Sequence, residues 1–173
     1  MQPWHGVDLL IDAVTCLRRS GHPVRVRIVG MGRGTERLVA LTEACGLADL
    51  VEFVGPVPHP EALRMIDTFD IAVLPHSNPW GAPMKLIEYA ARGIPAVAPD
   101  LPTLREMWGD DALAYFTPGN AEALASSIGF LLDHPEERTR LAAAAWRIVG
   151  EQYTWETQVG GVLAALDART SRY

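Results

Sequence analysis

Apolar and polar positions follow two different periodicities along the chain, one typical of helices and one typical of strands. Segment 6–21, "GVDLLIDAVTCLRRSG", repeats its apolar residues at helical spacing and ends at a glycine, which predicts a helix. The predicted buried face of this helix consists of Val7, Leu10, Ile11, Val14 and Leu17. Segment 24–30, "VRVRIVG", instead alternates apolar residues with arginine before it reaches a glycine, and this alternation predicts a strand.

Segments with the helical and the strand periodicity follow one another along the rest of the chain. The predicted strands are 24–30, 51–55, 70–75, 94–99 and 112–116. The predicted helices are 6–21, 35–47, 60–69, 83–92, 102–108, 120–133, 135–152 and 155–169. Strands separated by helices indicate βαβ units, so we expect an α/β, Rossmann-like fold of three layers with a parallel sheet between helices. Ligands bind such sheets at the carboxyl ends of the strands, which here singles out the loops 30–34, 55–59, 75–82 and 99–103.

One element of such a fold is missing from the pattern. A doubly wound half normally begins with a strand, whereas here only "MQPWH" precedes the first predicted helix. Either an opening strand lies outside this sequence or the sheet closes without it. We expect the sheet to lack its opening strand, and the apolar surface left bare there predicts self-association.

Composition restricts the classes of protein to which the chain can belong. Its 173 residues are 49% hydrophobic and 21% charged, which is typical of a globular domain with a sizeable core. A net charge of −6 argues against a nucleic-acid-binding protein. No signal-peptide pattern or membrane-spanning apolar run is visible, so we predict a cytoplasmic protein. Cys16 and Cys45 lack metal-ligand spacing and are interpreted as reduced thiols.

The start of the predicted helix 83–92 is unusual. Pro83 suits a first helical position, yet the two residues before it carry no side-chain oxygen that could cap the helix. The amides of Met84, Lys85 and Leu86 are therefore expected to lack acceptors, and together with the helix dipole they would form an anion site. Lys85, unfavourable at this end of a helix, would then be explained as a charge directed at a phosphate.

Glu88 lies one turn further along the same helix. Its carboxylate could accept hydrogen bonds from both hydroxyls of a ribose. A simpler interpretation makes Lys85 and Glu88 a surface ion pair worth about 0.2–0.5 kcal/mol, with Ser77 or Asn78 folding back as the cap. Spacing alone leaves both interpretations open.

Other motifs argue against alternative chemistries. Glycines at 30, 32 and 34 follow a strand and precede a helix, but their spacing differs from the dinucleotide fingerprint, and no acidic residue ends the next strand. We therefore reject nicotinamide binding and predict only a tight turn that a ligand can approach. Asp110 and Asp111 follow a glycine and are interpreted as a solvated turn, so no metal site is predicted.

The order of the segments resembles a known family. It includes "RIVGMGRGTERL", "GLADLVEFVGPVPHPEALRMIDTFDIAVLP", "APMKLIEYAARGIPAVAPD" and "LREMWGDDALAYFTPGNAEALASSI". These segments are similar to the C-terminal half of group 1 (family 4-type) glycosyltransferases, which have the two-domain GT-B fold. The resemblance extends over roughly residues 6–156.

This resemblance implies a function and a set of site residues. Residues 1–153 would bind a nucleotide-diphospho-sugar donor (a UDP-, GDP- or ADP-sugar), without a separate cofactor, for transfer of a hexose with retention of configuration. The helix in 154–173 would pack toward an acceptor-binding N-terminal domain that this sequence does not contain. Without that domain the chain is expected to be inactive, and membrane association would occur only through the full enzyme. Carried over by position, the catalytic residues are Lys85 and Glu88, and the donor-binding residues are Gly30, Gly32, Val54, Gly55, Val57, Met84 and Leu86.

The chain also departs from the family pattern. Trp80 stands where the first glutamate of the family's spaced pair is expected, and His5 replaces a lysine that helps to hold the diphosphate. Pro102 and Thr103 replace a pair of glycines near the sugar pocket. These departures support an alternative function, a non-catalytic nucleotide-sugar-binding or docking module. A sugar-nucleotide epimerase of the same fold is less consistent with the sequence, because no acid–base set is visible.

Overall fold

The computed structural model describes residues 5–170, which form five strands and eight helices, with strands and helices alternating from α1 to α6 and two further helices after α6. The strands are β1 (Val26–Val29), β2 (Val51–Gly55), β3 (Ala72–Val73), β4 (Ala96–Pro99) and β5 (Ala114–Phe116). The helices are α1 (Val7–Arg19), α2 (Thr35–Ala44), α3 (His59–Ile66), α4 (Met84–Ala91), α5 (Pro102–Trp108), α6 (Ala121–Asp133), α7 (Pro135–Gln152) and α8 (Trp155–Thr170). The predicted sequence of elements is therefore confirmed.

The strands form two separate parallel sheets. β1 pairs with β2, and β4 lies between β3 and β5. Within residues 5–170, no strand of the first sheet pairs with a strand of the second. This arrangement agrees with the predicted parallel sheet that lacks its opening strand, because no described segment fills the place between β1 and β3. The interruption lies beside β1 and β3, where an opening strand would be central.

Helices cover both faces of the sheets, which confirms the predicted α/β/α layering. Helices α1 and α6 pack on one face, in a cluster that includes Val97 of β4. Helices α4, α5 and α7 supply the cluster on the other face, which includes Ala96 and Ala98 of the same strand. Successive residues of β4 therefore enter opposite cores, and all four positions of this strand are buried.

Some element boundaries differ from the predicted ones. β3 is paired only over Ala72–Val73, although the apolar run predicted a strand over 70–75, because pairing depends on a neighbouring strand and β3 has one on a single side. Helix α4 begins at Met84, one residue later than predicted, since Pro83 has an extended ψ of 108° and occupies the cap position. Cys16 and Cys45 are free, half-buried thiols.

The terminal helix α8 matches the predicted helix 155–169 within a residue. Residues 171–173 of the predicted segment 154–173, and residues 1–4 of the predicted domain 1–153, lie outside the described residues. The division into these two units stays a prediction. In the part of the chain that the structure describes, no helix combines the length and the apolar character needed to cross a membrane.

Candidate functional site

The loops after β1, β2 and β3 meet the starts of α1 and α4 at the carboxyl edge of the sheets. Gly6, the residue before α1, has a φ of 65° and lies against the end of β3. A Cβ added to Gly6 would lie 2.7 Å from the His76 Cβ, so a side chain cannot be accommodated there without displacement. The close approach places the start of α1 beside the loop that leads into α4.

The first turn of α4 has no side-chain cap, as the sequence predicted. The Leu86 amide, however, donates to the Pro83 carbonyl at 3.0 Å, so the expectation that this amide is free was wrong. The alternative cap is not formed, because the Ser77 hydroxyl donates to the Asn78 carbonyl at 3.4 Å. The amides of Met84 and Lys85 thus remain for a ligand at this end of the helix.

Lys85 is the only lysine of the chain, and its side chain is exposed. Within residues 5–170 it forms no ion pair with a carboxylate, so the simpler interpretation of a Lys85–Glu88 pair is not supported. Burial, and next the positive charge of Lys85, hold the pKa of His5 below its usual value. His5 and Lys85 therefore share one electrostatic environment, and an anion between them would relieve the repulsion.

The side chain of Glu88 in α4 contacts a residue of helix α3. Its Oε1 lies 3.0 Å from Nε2 of His59, the first residue of α3, and the Glu88 side chain is 32% exposed. The sequence analysis did not identify His59 as a site residue. The only signal for it was its position in the loop 55–59, one of the loops expected at the ligand edge.

Gly30 and Gly55 lie at the carboxyl ends of β1 and β2, at the same edge of the molecule as the start of α4. The Gly30 amide donates to the Gly55 carbonyl at 2.8 Å, and the two residues have φ values of 107° and 81°. A Cβ at either position would meet no atom within 4 Å, so backbone conformation, rather than crowding, requires glycine there. The space above both residues is open to a ligand.

The remaining predicted binding residues differ in how accessible they are. The Gly32 amide donates to the Thr35 hydroxyl at 3.0 Å, so it is already used within the turn. Val54 and Val57 are half-buried along and after β2, whereas Met84 is 64% exposed. Leu86 is 1% exposed, and its side chain belongs to the core.

The positions that depart from the family pattern have contrasting surroundings. Trp80, in the place of the expected first glutamate, is 82% exposed. The Thr103 hydroxyl, in the first turn of α5, is buried without a hydrogen-bond partner in the described structure. The preceding loop is fixed by Asp100, whose carboxylate accepts from Arg105 at 2.7 and 2.9 Å. Across the described residues, no group of three or more His, Cys, Asp or Glu side chains could hold a metal ion.

Comparison with known families decides the membership of the chain. The family model described as "Glycosyl transferases group 1" matches residues 1–147. The chain belongs to the group 1 glycosyltransferases. The resemblance and the fold predicted from the sequence are thereby confirmed.

Individual relatives of this group 1 glycosyltransferase chain are longer than the chain itself. It is 28% identical over 163 residues to a phosphatidyl-myo-inositol mannosyltransferase of Mycobacterium leprae, covering 94% of this chain and 42% of that protein. It is 30% identical over 155 residues to a glycogen synthase of Mycobacterium tuberculosis, covering 88% and 37%. Among solved structures, Anabaena Alr3699/HepE in complex with UDP has a TM-score of 0.80 at 22% identity, covering 95% and 46%. The similarity to the Anabaena protein, at 22% identity, shows a shared fold.

Proposed function

We propose that this chain is the donor-binding half of a retaining hexosyltransferase and that its ligand is a nucleotide-diphospho-sugar. The observation that carries the proposal is the open start of α4, where two amides without a side-chain cap and the only lysine face the carboxyl edge of the sheets. Membership of the group 1 glycosyltransferases supports the same assignment. So does the UDP bound to the structurally similar Anabaena protein.

The diphosphate would act as the cap that α4 lacks. The amides of Met84 and Lys85 point along the helix dipole and would donate to phosphate oxygens. The Lys85 ammonium would supply the compensating charge, as lysine does in other phosphate sites. In this arrangement a cation at the unfavourable end of a helix becomes favourable, because two negative charges of the ligand reverse the local potential.

Glu88 would accept from the ribose hydroxyls, but only in competition with His59. The imidazole already occupies Oε1 of Glu88, which leaves Oε2 for the ligand. A ribose that uses both oxygens must displace His59, whose side chain is 68% exposed and can turn into solvent. We therefore expect His59→Ala to strengthen nucleotide binding slightly, by about the worth of one exposed hydrogen bond. Unchanged or weaker binding in a titration of this variant would argue against the assignment of Glu88.

Transfer requires the bond between the sugar C1 and the diphosphate oxygen to break, and negative charge then accumulates on the leaving group. Preorganised amides and Lys85 would stabilise that charge more strongly in the transition state than in the bound donor. The chain spans about two fifths of the length of the curated relatives it matches, so the acceptor would be held by a segment outside it. Alone, the chain is expected to bind the donor and at most to hydrolyse it slowly. The cytoplasmic location stays a prediction from the sequence.

A non-catalytic donor-binding module is the second candidate. Trp80 favours it, because an exposed indole stands where the family pattern places an acid. Such a module would bind the nucleotide as described, yet would not support transfer when combined with an acceptor domain. A transfer assay with an acceptor domain supplied on a second polypeptide separates the two candidates.

The first test is a thermal-shift series with UDP, GDP, ADP and their sugars. At a concentration about a hundredfold above Kd, a ligand that binds the folded state alone adds about 2.7 kcal/mol to the free energy of unfolding. We expect a shift with one of the three bases and its loss in Lys85→Ala and Glu88→Ala. Arg147→Ala and Glu106→Ala, which remove one exposed charge of each sign elsewhere, are the matched controls and should retain the shift.

The single lysine permits a direct test of the contact. Reductive methylation with ¹³C-formaldehyde would label one lysine ammonium, at Lys85, in addition to the chain's α-amino group. We expect the Lys85 methyl resonance to move on titration with the active nucleoside diphosphate and to stay in place with the uncharged nucleoside. A folded chain whose melting temperature and Lys85 resonance respond to none of the nucleotides would overturn the proposal.

A further inference from the structure

Trp80 has the largest side chain of the loop between β3 and α4, and this side chain lies in solvent. The residue is 82% exposed, and in the described part of the chain its indole has no hydrogen bond and no ring contact. Trp108, by contrast, is 1% exposed and stacks on Tyr153 with the ring centroids 5.9 Å apart. Single exposed apolar residues are common on protein surfaces, so the argument depends on how this indole is held and where it lies.

A tight turn presents the indole of Trp80. The Gly81 amide donates to the Asn78 carbonyl at 3.0 Å, which closes a β-turn of four residues. Asparagine, proline and glycine occupy the first, second and fourth positions of this turn, where each is favoured. A Cβ at Gly81 would lie 3.2 Å from the Ser77 Oγ, so the turn packs closely against the residue before it. The backbone that carries the indole is therefore restrained, and less conformational freedom is lost when a ligand stacks on it.

The turn precedes the proposed diphosphate site along the chain, whereas Glu88 follows it. Glu88 lies one turn along α4 from the amides of Met84 and Lys85, and Trp80 stands four residues before Met84. A nucleotide sugar is a linear molecule in which the diphosphate joins the nucleoside to the sugar. With the ribose at Glu88 and the diphosphate at the start of α4, the sugar would continue past the helix toward the segment that precedes it. This step rests on the proposed function.

The loop after β4 begins beside this segment. β3 and β4 are parallel neighbours in one sheet, so the loops that follow them start at the same edge. Both carboxylate oxygens of Asp100, directly after β4, accept from Arg105, at 2.7 Å from Nε and 2.9 Å from Nη2. Residues 74–83, the other loop at this edge, contain no acidic residue. Neither of these loops therefore offers a free carboxylate to a sugar hydroxyl, whereas the indole of Trp80 is exposed.

We propose that Trp80 is a stacking platform for the sugar of the donor. The indole would cover a face of the sugar ring from which C–H groups project, and this contact removes apolar surface of both partners from water. Sugars that turn a hydroxyl toward the indole are disfavoured, because that hydroxyl loses water without gaining an acceptor. The substrate class is therefore a nucleotide sugar whose ring has an apolar face of contiguous C–H groups. The contact serves the transferase and the non-catalytic module alike, because both bind the donor.

The test separates the sugar from the rest of the donor. Isothermal titration compares UDP with UDP-glucose, GDP with GDP-mannose and ADP with ADP-glucose, in the full chain and in its Trp80→Ala variant. For the base that binds, the measured quantity is the Kd of the nucleotide sugar divided by the Kd of the nucleoside diphosphate. We expect this ratio to rise about fivefold to tenfold in Trp80→Ala, while Kd for the nucleoside diphosphate stays within about twofold.

Two further variants control for the size and the place of the change. Trp80→Phe keeps an aromatic ring at the turn and should retain most of the sugar contact. Trp146→Ala removes another exposed indole, 61% exposed on α7, and should leave the ratio unchanged. Melting temperatures of all variants verify that each is folded.

A spectroscopic measurement reports on the indole directly. The chain contains five tryptophans, and labelling with 5-fluorotryptophan gives each a ¹⁹F resonance. The resonance of Trp80 is assigned from its absence in Trp80→Phe. We expect it to move when the nucleotide sugar replaces the nucleoside diphosphate, and the resonance of the buried Trp108 to stay in place.

An unchanged Kd ratio in Trp80→Ala would overturn the stacking proposal and leave the proposed function in place. So would an equal loss of affinity for both ligands, since the indole would then contact the base or the diphosphate. If a folded chain binds none of the six compounds, the proposed function fails and the stacking proposal fails with it. The titration with the nucleoside diphosphate alone tells these cases apart.

Discussion

Two helices of this chain begin in opposite ways. At the start of α6, the Asn120 side chain accepts from the Ala123 amide at 2.9 Å, and Glu122 stands in the first turn. At the start of α4, Pro83 occupies the cap position without a side-chain acceptor, and no acidic residue is present in the first turn. Both helices pack on a hydrophobic core, so both are anchored along their length and the comparison concerns their first turns.

The contrast separates an end that stabilises the fold from an end that is available to a ligand. A cap such as Asn120 contributes typically about 1 kcal/mol, and acids in the first turn add to it. Helix α4 forgoes both contributions at the carboxyl edge of the sheets, where parallel α/β proteins bind their ligands. A side-chain cap is also absent from α1, α2, α3, α5 and α7. What the proposed donor binding would explain is therefore the presence of Lys85, with no acidic residue beside it, in the first turn of a helix at this edge.

The largest expected effect follows from reversing the charge at α4. Lys85→Glu would remove a charged donor, worth about 1.5–3 kcal/mol, and would add repulsion toward a diphosphate. We expect Kd for the active nucleoside diphosphate to rise about a hundredfold or more in isothermal titration. Arg147→Glu makes the same change of charge on the exposed side of α7 and should leave Kd within about twofold at moderate salt. Equal losses in both variants would mean that long-range charge, rather than the start of α4, controls binding.

The next effect comes from giving α4 a cap like that of α6. Pro83→Asp would place a carboxylate where it can accept from the first-turn amides and interact favourably with the dipole. We expect the free energy of unfolding in urea to rise by up to about 1 kcal/mol while nucleotide affinity falls about tenfold. Pro83→Ala, which adds no acceptor, is the control. A more stable variant that retains full affinity would show that the open end is not the anion site.

The converse change at α6 should affect only stability. Asn120→Ala is expected to cost about 1 kcal/mol in urea unfolding, because the Ala123 amide loses its acceptor. The nucleotide-induced thermal shift should be unchanged in size. A reduced shift would show that the two helix ends are coupled and would weaken the distinction between them.

The smallest effect concerns the start of α5, which is fixed by an ion pair instead of a cap. The hydrogen bonds from Arg105 hold the pKa of Asp100 below its usual value. A carboxyl whose pKa is lowered in the folded state stabilises the fold above its unfolded pKa, and that contribution is lost as the pH falls through the folded pKa. At pH 6 the free energy of unfolding of the wild type should exceed that of Asp100→Asn by less than about 1 kcal/mol, because the Asp100–Arg105 pair is exposed.

This advantage should shrink steadily below about pH 4. Urea unfolding of both proteins at several pH values measures it. A difference that does not change with pH would mean that Asp100 acts through packing or neutral hydrogen bonds.

Elements with strong local signals were predictable from the sequence. The bounds of α5, α7 and β2 agree with the predicted ones, since proline begins both helices and a short β-branched run forms the strand. The extent of β3 was not predictable, because a residue is assigned to a strand only where another strand pairs with it. The interruption of the sheet likewise depends on a neighbour and not on any local pattern.

In the candidate site, too, local features could be predicted from the sequence and long-range contacts could not. Lys85 and Glu88 could be proposed from the sequence, because a lysine is unfavourable at the start of a helix and Glu88 follows it one turn later. The partner of Glu88 could not, since His59 is 29 residues away and comes close only in the folded chain. The use of the Leu86 and Gly32 amides within their own turns depends on backbone geometry that the sequence leaves undetermined.

The absence of a side chain at Gly6 has a mechanical consequence. Because a Cβ at Gly6 would lie 2.7 Å from the His76 Cβ, the missing side chain sets how closely the start of α1 approaches the segment that follows β3. Gly6 directly precedes α1, and His76 lies at the start of the loop that leads into α4, the helix of Lys85. A residue with a side chain at position 6 would therefore have to displace either the start of α1 or the segment 75–76, which leads toward α4.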